Sequence, residues 1–174
     1  MSVATPIARC ALFDIDGTLI DTVESIVGAL HDTYRKHLHI DVPRDDIRAS
    51  IGLPLKTQVR MYDHLVTTRP DHAAMERDTL THYERRRHLE RPFEGAVAAL
   101  RALHRAGCVT GLVTSKNAIE CAEFLPRFDL LPYVQTAVNS SDTHHPKPYP
   151  DPVLEAMRRL GVAPQETVFI GDTV

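Results

Sequence analysis

In the stretch ALFDIDGTLID, residues 11–21, an apolar run stops at Asp14, resumes for one residue, stops again at Asp16, and is followed by Gly17, Thr18 and a third acid, Asp21. Carboxylates crowded at the end of an apolar segment repel one another and lose hydration, so the pattern calls for a positive counterpart. Other polar residues stand at comparable places along the chain. Thr114 and Ser115 follow the apolar VTGLV, Lys147 lies in the proline-stiffened HPKPYP, and Asp172 follows TVFI. Acids, a hydroxyl and one lysine converging on a single rim would suit Mg²⁺ and a phosphate: hard oxygens for the metal, donors and a positive charge for the anion.

Such convergence needs a scaffold, and the spacing of apolar residues supplies one. Residues 9–13 read as a strand buried on both faces, because they are short and continuously apolar after Arg9. From Asp21 to about Glu90 charged residues and histidines are scattered among apolar ones at helical spacing, as in Val23, Ile26, Val27, Leu30 and Tyr34, and this third is expected to be all-helical. Asp21 is expected to N-cap its first helix.

Beyond Arg91-Pro92 strands and helices alternate again. Ala96, Val97, Leu100 and Leu103 mark one helical face ended by Gly107, residues 109–114 the next strand, 117–127 a helix, 133–138 a strand, and 167–170 the last strand. Asp151 and Pro152 read as an N-cap and first helical position, with Val153, Leu154, Met157 and Leu160 turned toward the sheet. The expectation is an α/β fold, a doubly wound parallel sheet, in which the ligand sits at the carboxyl ends of the strands.

The bulk composition agrees with a globular enzyme-sized chain. With 174 residues, 43% hydrophobic and 25% charged residues and a net charge of -3, the chain can bury a core and offers no basic surface for nucleic acid. No apolar run approaches a membrane span and the first ten residues resemble no targeting segment, so no membrane partner and a cytoplasmic location are expected. Cys10, Cys108 and Cys121 are odd in number, without metal-like spacing, and are read as reduced and buried. In THHP, 143–146, the adjacent histidines are expected to point apart, and ERRRH, 84–88, to be a solvated helical face. A calcium loop is not a reading of DIDG, which follows a strand and lacks the later glutamate.

DIDGTLID, VTSK at 113–116, KPYP at 147–150 and GDT at 171–173, in this order, resemble the four motifs of the haloacid dehalogenase (HAD) superfamily of phosphohydrolases. The resemblance implies a Rossmann-like core over 1–20 and 91–174 with a small helical cap over 21–90, as in the branch that includes phosphoglycolate phosphatases, certain pyrophosphatases and β-phosphoglucomutases. It implies Asp14 as nucleophile, Asp16 as general acid and base, Thr114 as a phosphoryl-binding hydroxyl, and Lys147 as the cation that offsets phosphate and nucleophile. Main-chain amides near Gly17 and Ser115 would add to phosphate binding. Asp14, Asp172 and the carbonyl of Asp16 would hold Mg²⁺. Lys56 or Arg60, in or beside the IGLPLK loop at 51–56, would meet a second anionic group on the substrate.

The implied activity is Mg²⁺-dependent hydrolysis of a small phosphorylated metabolite through an aspartyl-phosphate, most like phosphoglycolate phosphatase; a β-phosphoglucomutase-like phosphomutase and a non-catalytic binding module are the alternatives. One departure bears on the last. The family's fourth motif continues to a second acid and then a further strand and helix, whereas this sequence ends at Val174, as a fragment would or a shortened protein with weaker Mg²⁺ binding and an uncovered sheet edge.

Overall fold

Parallel strands covered on both faces read as short apolar runs, and the chain supplies four predominantly apolar segments of this length. The computed structural model describes residues 8–172. In chain order its elements are β1 (Cys10–Phe13), β2 (Ile20–Asp21), α1 (Val23–Leu38), α2 (Arg44–Arg48), α3 (Leu55–Gln58), α4 (His72–Glu84), β3 (Arg91–Pro92), α5 (Glu94–Arg105), β4 (Val109–Val113), α6 (Ala118–Arg127), β5 (Thr136–Val138), α7 (Asp151–Leu160) and β6 (Thr167–Ile170), with short 3₁₀ turns between some of them. The chain divides into two compact units, one of residues 1–19 and 92–174 and the other Ile20–Arg91.

The first unit is built on a sheet in the order β5-β4-β1-β6. Every pairing is parallel, with Phe13 level with both Leu112 and Ile170, and Leu112 level with Ala137. β1 is therefore central, and its four residues are all buried. Side chains alternate across β4. Val109 and Val113 join Cys10, Leu12, Val138, Ala156 and Met157 in a core covered by α7, whereas Thr110, of opposite parity, bonds to His104 Nδ1 of α5 at 3.0 Å. Helices thus cover both faces, the α/β arrangement expected from the alternation of elements.

Several local expectations need correction. The last helix begins at Asp151 with Pro150 at its N-cap position; Asp151 makes no cap bond and instead accepts from His145 Nδ1 at 3.0 Å. Within it Leu154 is exposed, because the buried stripe runs through Val153, Ala156, Met157 and Leu160, and a residue one step from Val153 is turned about 100° off that stripe. The strand expected over 133–138 keeps only Thr136–Val138; Tyr133 ends a 3₁₀ turn over Leu131–Tyr133, and Val134 and Gln135 link the two. Cys108 is half-buried rather than buried, its thiol directed at the Arg9 carbonyl.

The second unit is mostly helical, with the two-residue strands β2 and β3 paired at its chain ends, which the sequence did not signal. α1 packs along α4, and Val27, Leu30, Tyr34, Leu38, Val42, Ile47, Val59 and Met75 form a core of the unit's own. Tyr34 donates to the Gln58 carbonyl at 2.9 Å, and the hydroxyls of Thr33 and Thr79 meet at 2.9 Å across α1 and α4. The N-cap position of α1 is Thr22, one residue later than expected, although Asp21 still accepts from the Val23 amide at 3.2 Å. Nor is 84–88 simply a solvated face: Arg86 lies over Gly28 and pairs with Asp32, and Arg87 pairs with Glu84. Among the described residues no helix is long and apolar enough to cross a membrane.

Gly111 sits where strands approach most closely. A Cβ there would lie 2.9 Å from Leu12 Cδ2 and 3.2 Å from the Thr136 carbonyl oxygen. Gly111→Val is expected to lower stability by about 1–3 kcal/mol through overpacking, read as a lower urea midpoint with an unchanged slope.

Candidate active site

The carboxyl ends of β1, β4 and β6 are level, so the residues that follow them share one rim. Pairing continues one step past the strands: the Asp14 amide donates to the Ile170 carbonyl at 2.8 Å and the Thr114 amide to the Val138 carbonyl at 2.9 Å. Asp14 and Thr114 are in consequence fixed by main-chain bonds, and both are almost fully buried.

After Asp14 the chain turns sharply. The Thr18 and Leu19 amides donate to the Ile15 carbonyl at 3.2 and 2.9 Å, and Ile15 is wholly buried as the anchor of the turn. Gly17 takes φ of 76°, a left-handed conformation that disfavours a side chain. Its second reason is steric, since a Cβ at Gly17 would overlap the Asp172 carboxylate. Asp172 therefore packs directly on the turn that follows Asp14 and carries Asp16, and Thr18 Oγ1 donates to Asp172 Oδ1 at 3.2 Å. On the other side, the Cα of Gly171 faces Asp14, with Asp14 Cβ 3.7 Å from where a side chain would begin.

The charges divide into two pairs. Lys147 donates to Asp14 Oδ2, while Asp14 Oδ1 accepts from the Ile15 amide at 2.7 Å. Lys147 also lies 5.8 Å from the centre of the Phe169 ring, and its bond to Pro148 is cis. Burial pushes the Asp14 carboxyl above the usual range; the charge and hydrogen bond of Lys147 and the Ile15 amide oppose this, and Asp16 adds to it. The second pair joins Lys116 Nζ to Asp16 Oδ1 at 2.9 Å, both side chains being mostly buried.

Lys116 is the residue to which sequence reasoning gave no role. The VTSK motif contained it, but a lysine beside a hydroxyl reads as a surface residue. The available signal was the Asn117 and Glu120 spacing of a capping box, which starts α6 immediately after Lys116 and leaves only a short link between strand and helix to hold it.

The remaining expected residues fall as follows. Thr114 Oγ1 accepts from the Lys116 amide at 3.2 Å, and Ser115 is half-buried between them. In the helical unit Lys56 and Arg60 are exposed; Arg60 reaches the Lys56 carbonyl and lies 3.5 Å from Glu76. His144 and His145 do not point apart: their rings meet edge to face at 4.8 Å, and His145 continues to Tyr149 at 5.1 Å. Thr173 of the GDT motif lies outside the described residues. Among the described residues no three Asp, Glu, His or Cys side chains are grouped to hold a metal ion. The metal set expected from the sequence draws on two carboxylates, Asp14 and Asp172, and the main-chain carbonyl of Asp16, all hard oxygens suited to Mg²⁺.

Comparison with known proteins identifies the family. Residues 11–174 match the model of the haloacid dehalogenase-like hydrolase family, and the chain belongs to that family. It is 30% identical over 166 residues to pyrophosphatase PpaX of Halalkalibacterium halodurans, spanning 92% of this chain and 73% of that protein. It is 29% identical over 188 aligned residues to a phosphoglycolate phosphatase of Escherichia coli O157:H7, spanning 95% and 74%. The fold is shared with the crystal structure of a hydrolase from Pseudomonas syringae at a TM-score of 0.82, with 24% identity and coverage of 95% of this chain and 76% of that one.

Gly17→Ala tests how tightly the turn and Asp172 are packed. The variant is expected to lose about 1–2 kcal/mol in urea unfolding, from the positive φ, and to rotate the Asp172 carboxylate away from the turn in a crystal structure.

Proposed function

We propose that the protein is a phosphatase that hydrolyses a small phosphorylated metabolite through a phosphoryl-aspartate at Asp14. The observation that carries this reading is the pairing of a buried Asp14 with Lys147 beside a second, separately held aspartate, Asp16, on one sheet rim. An anionic nucleophile approaching an anionic phosphoryl group needs a fixed positive charge at the point of contact, and Lys147 is already there.

The steps follow from the groups present. An Asp14 carboxylate oxygen bonds to phosphorus in line with the ester oxygen, whose bond to phosphorus breaks and whose electron pair takes a proton from the Asp16 carboxyl. Asp16, now a carboxylate, then accepts a proton from water as that water attacks phosphorus. The phosphorus–Asp14 bond breaks, inorganic phosphate leaves, and Asp14 regains its charge. Thr114 Oγ1 and the amides around Gly17 and Ser115 supply donors for the phosphoryl oxygens. Asp14, Asp172 and the Asp16 carbonyl would hold Mg²⁺, which supplies positive charge to the transferring group.

The helical unit Ile20–Arg91 is read as the cap of this family, and Lys56 or Arg60 as its contact to a second anionic group. Phosphoglycolate and pyrophosphate share the relevant chemistry, a phosphoryl group joined to another small acid, and the relatives named for those substrates support this class.

With Mg²⁺ and p-nitrophenyl phosphate, Asp14→Asn is expected to lower turnover by about 10³-fold or more while the melting curve stays cooperative. A variant that keeps its activity would refute the nucleophile. Inorganic phosphate should appear in step with substrate loss; a sugar phosphate isomer in its place would indicate a phosphomutase. Mg²⁺ should also raise the melting temperature of the wild type in a concentration-dependent way, and Asp14→Asn should remove most of that shift.

A further inference from the structure

The Lys116 side chain is almost wholly buried, which is rare for a lysine, and nothing assigned so far uses it. It is 6% exposed, and both its main-chain groups are committed: the amide to Thr114 Oγ1 at 3.2 Å, and the carbonyl to the Ser140 amide at 2.9 Å. Its ammonium lies 5.5 Å from the ring centre of the buried Phe124 on α6 and 2.9 Å from Asp16 Oδ1. A buried ammonium needs a charged partner, and a lysine whose backbone and stem are both fixed has already lost the freedom that would make it a loose contact.

Asp16 sits in the turn after β1, whose main-chain hydrogen bonds join Thr18 and Leu19 to the Ile15 carbonyl. We propose that Lys116 is a positioning residue for Asp16: its ammonium, braced by Phe124 and the β4–α6 link, holds the Asp16 carboxyl at the orientation from which it passes a proton to the leaving oxygen. This rests on the phosphatase reading above. It adds to that reading a division of labour between two lysines, Lys147 serving the nucleophile and Lys116 serving the acid.

The test separates leaving groups, because only a poor one needs the acid. kcat/KM covers the steps from free enzyme and substrate up to departure of the leaving group, so later hydrolysis of the phosphoryl-aspartate does not enter it. Lys116→Met, which keeps the stem against Phe124, is expected to lower kcat/KM for an alkyl phosphate about 10- to 100-fold, and for p-nitrophenyl phosphate by no more than about threefold. Asp16→Asn should show the same pattern more strongly. The double variant should be no worse than Asp16→Asn alone, since a residue acting through Asp16 has nothing left to act on.

Equal losses on both substrates, or losses that multiply in the double variant, would overturn the proposal and place Lys116 on the phosphate or in the core. Lys116→Gln, carried through the same cycle, gives a second reading if the methionine variant melts early. Hydrolysis by the wild type with normal dependence on Asp14 keeps the phosphatase reading intact in either case. An inactive wild type with Mg²⁺ would instead sink that reading, and this inference with it.

Discussion

Three carboxylates are held on one rim of a parallel sheet, and the local design answers to their mutual repulsion. Asp14 cannot move, because β1 is bonded on both sides and its last amide is tied to Ile170. Asp172 cannot retreat without leaving the Gly17 turn it packs on. What remains adjustable is the supply of positive charge, and it arrives from two separate segments, Lys147 after β5 and Lys116 after β4. Removing either lysine would strand a buried charge, which is far costlier than the pair itself is stabilising.

That constraint accounts for the glycine and the prolines as well as the charges. A residue with a Cβ at position 17 would compete with Asp172 for the same space, so the backbone there serves the carboxylate as much as the turn. Pro146, Pro148 and Pro150 restrict the loop that presents Lys147, lowering the entropy lost when its ammonium is held against Asp14. Groups fixed in advance need no reorganisation when charge develops on a bound ligand, and this is where electrostatic stabilisation is largest.

Much of the rim was legible in the sequence because buried parallel strands write themselves as unbroken apolar runs, and the residues after those runs must lie at strand ends. Cys10–Phe13 is buried throughout, and Thr167–Ile170, though partly exposed at the sheet edge, carries the same apolar run. What was not legible depends on three-dimensional partners. Two-residue strands such as Ile20–Asp21 are too short to show any period. Leu154 is as apolar as its neighbours and differs only in its angle around α7. Arg86 is indistinguishable from Arg85 until Asp32 is seen beside it. Lys116 belongs to the same class: its meaning comes from Asp16, a hundred residues away along the chain.

The two units of the chain each close a core of their own. Asp14 to Thr18, Thr114 to Lys116, Lys147 and Asp172 all belong to the unit that holds the sheet. The helical unit in turn closes its own core around Tyr34, Leu30 and Met75, and satisfies polar groups such as Tyr34 and Thr33 internally. The rim's carboxylates and two lysines thus answer to the packing of the sheet, and the buried hydroxyls of the helical unit to its own.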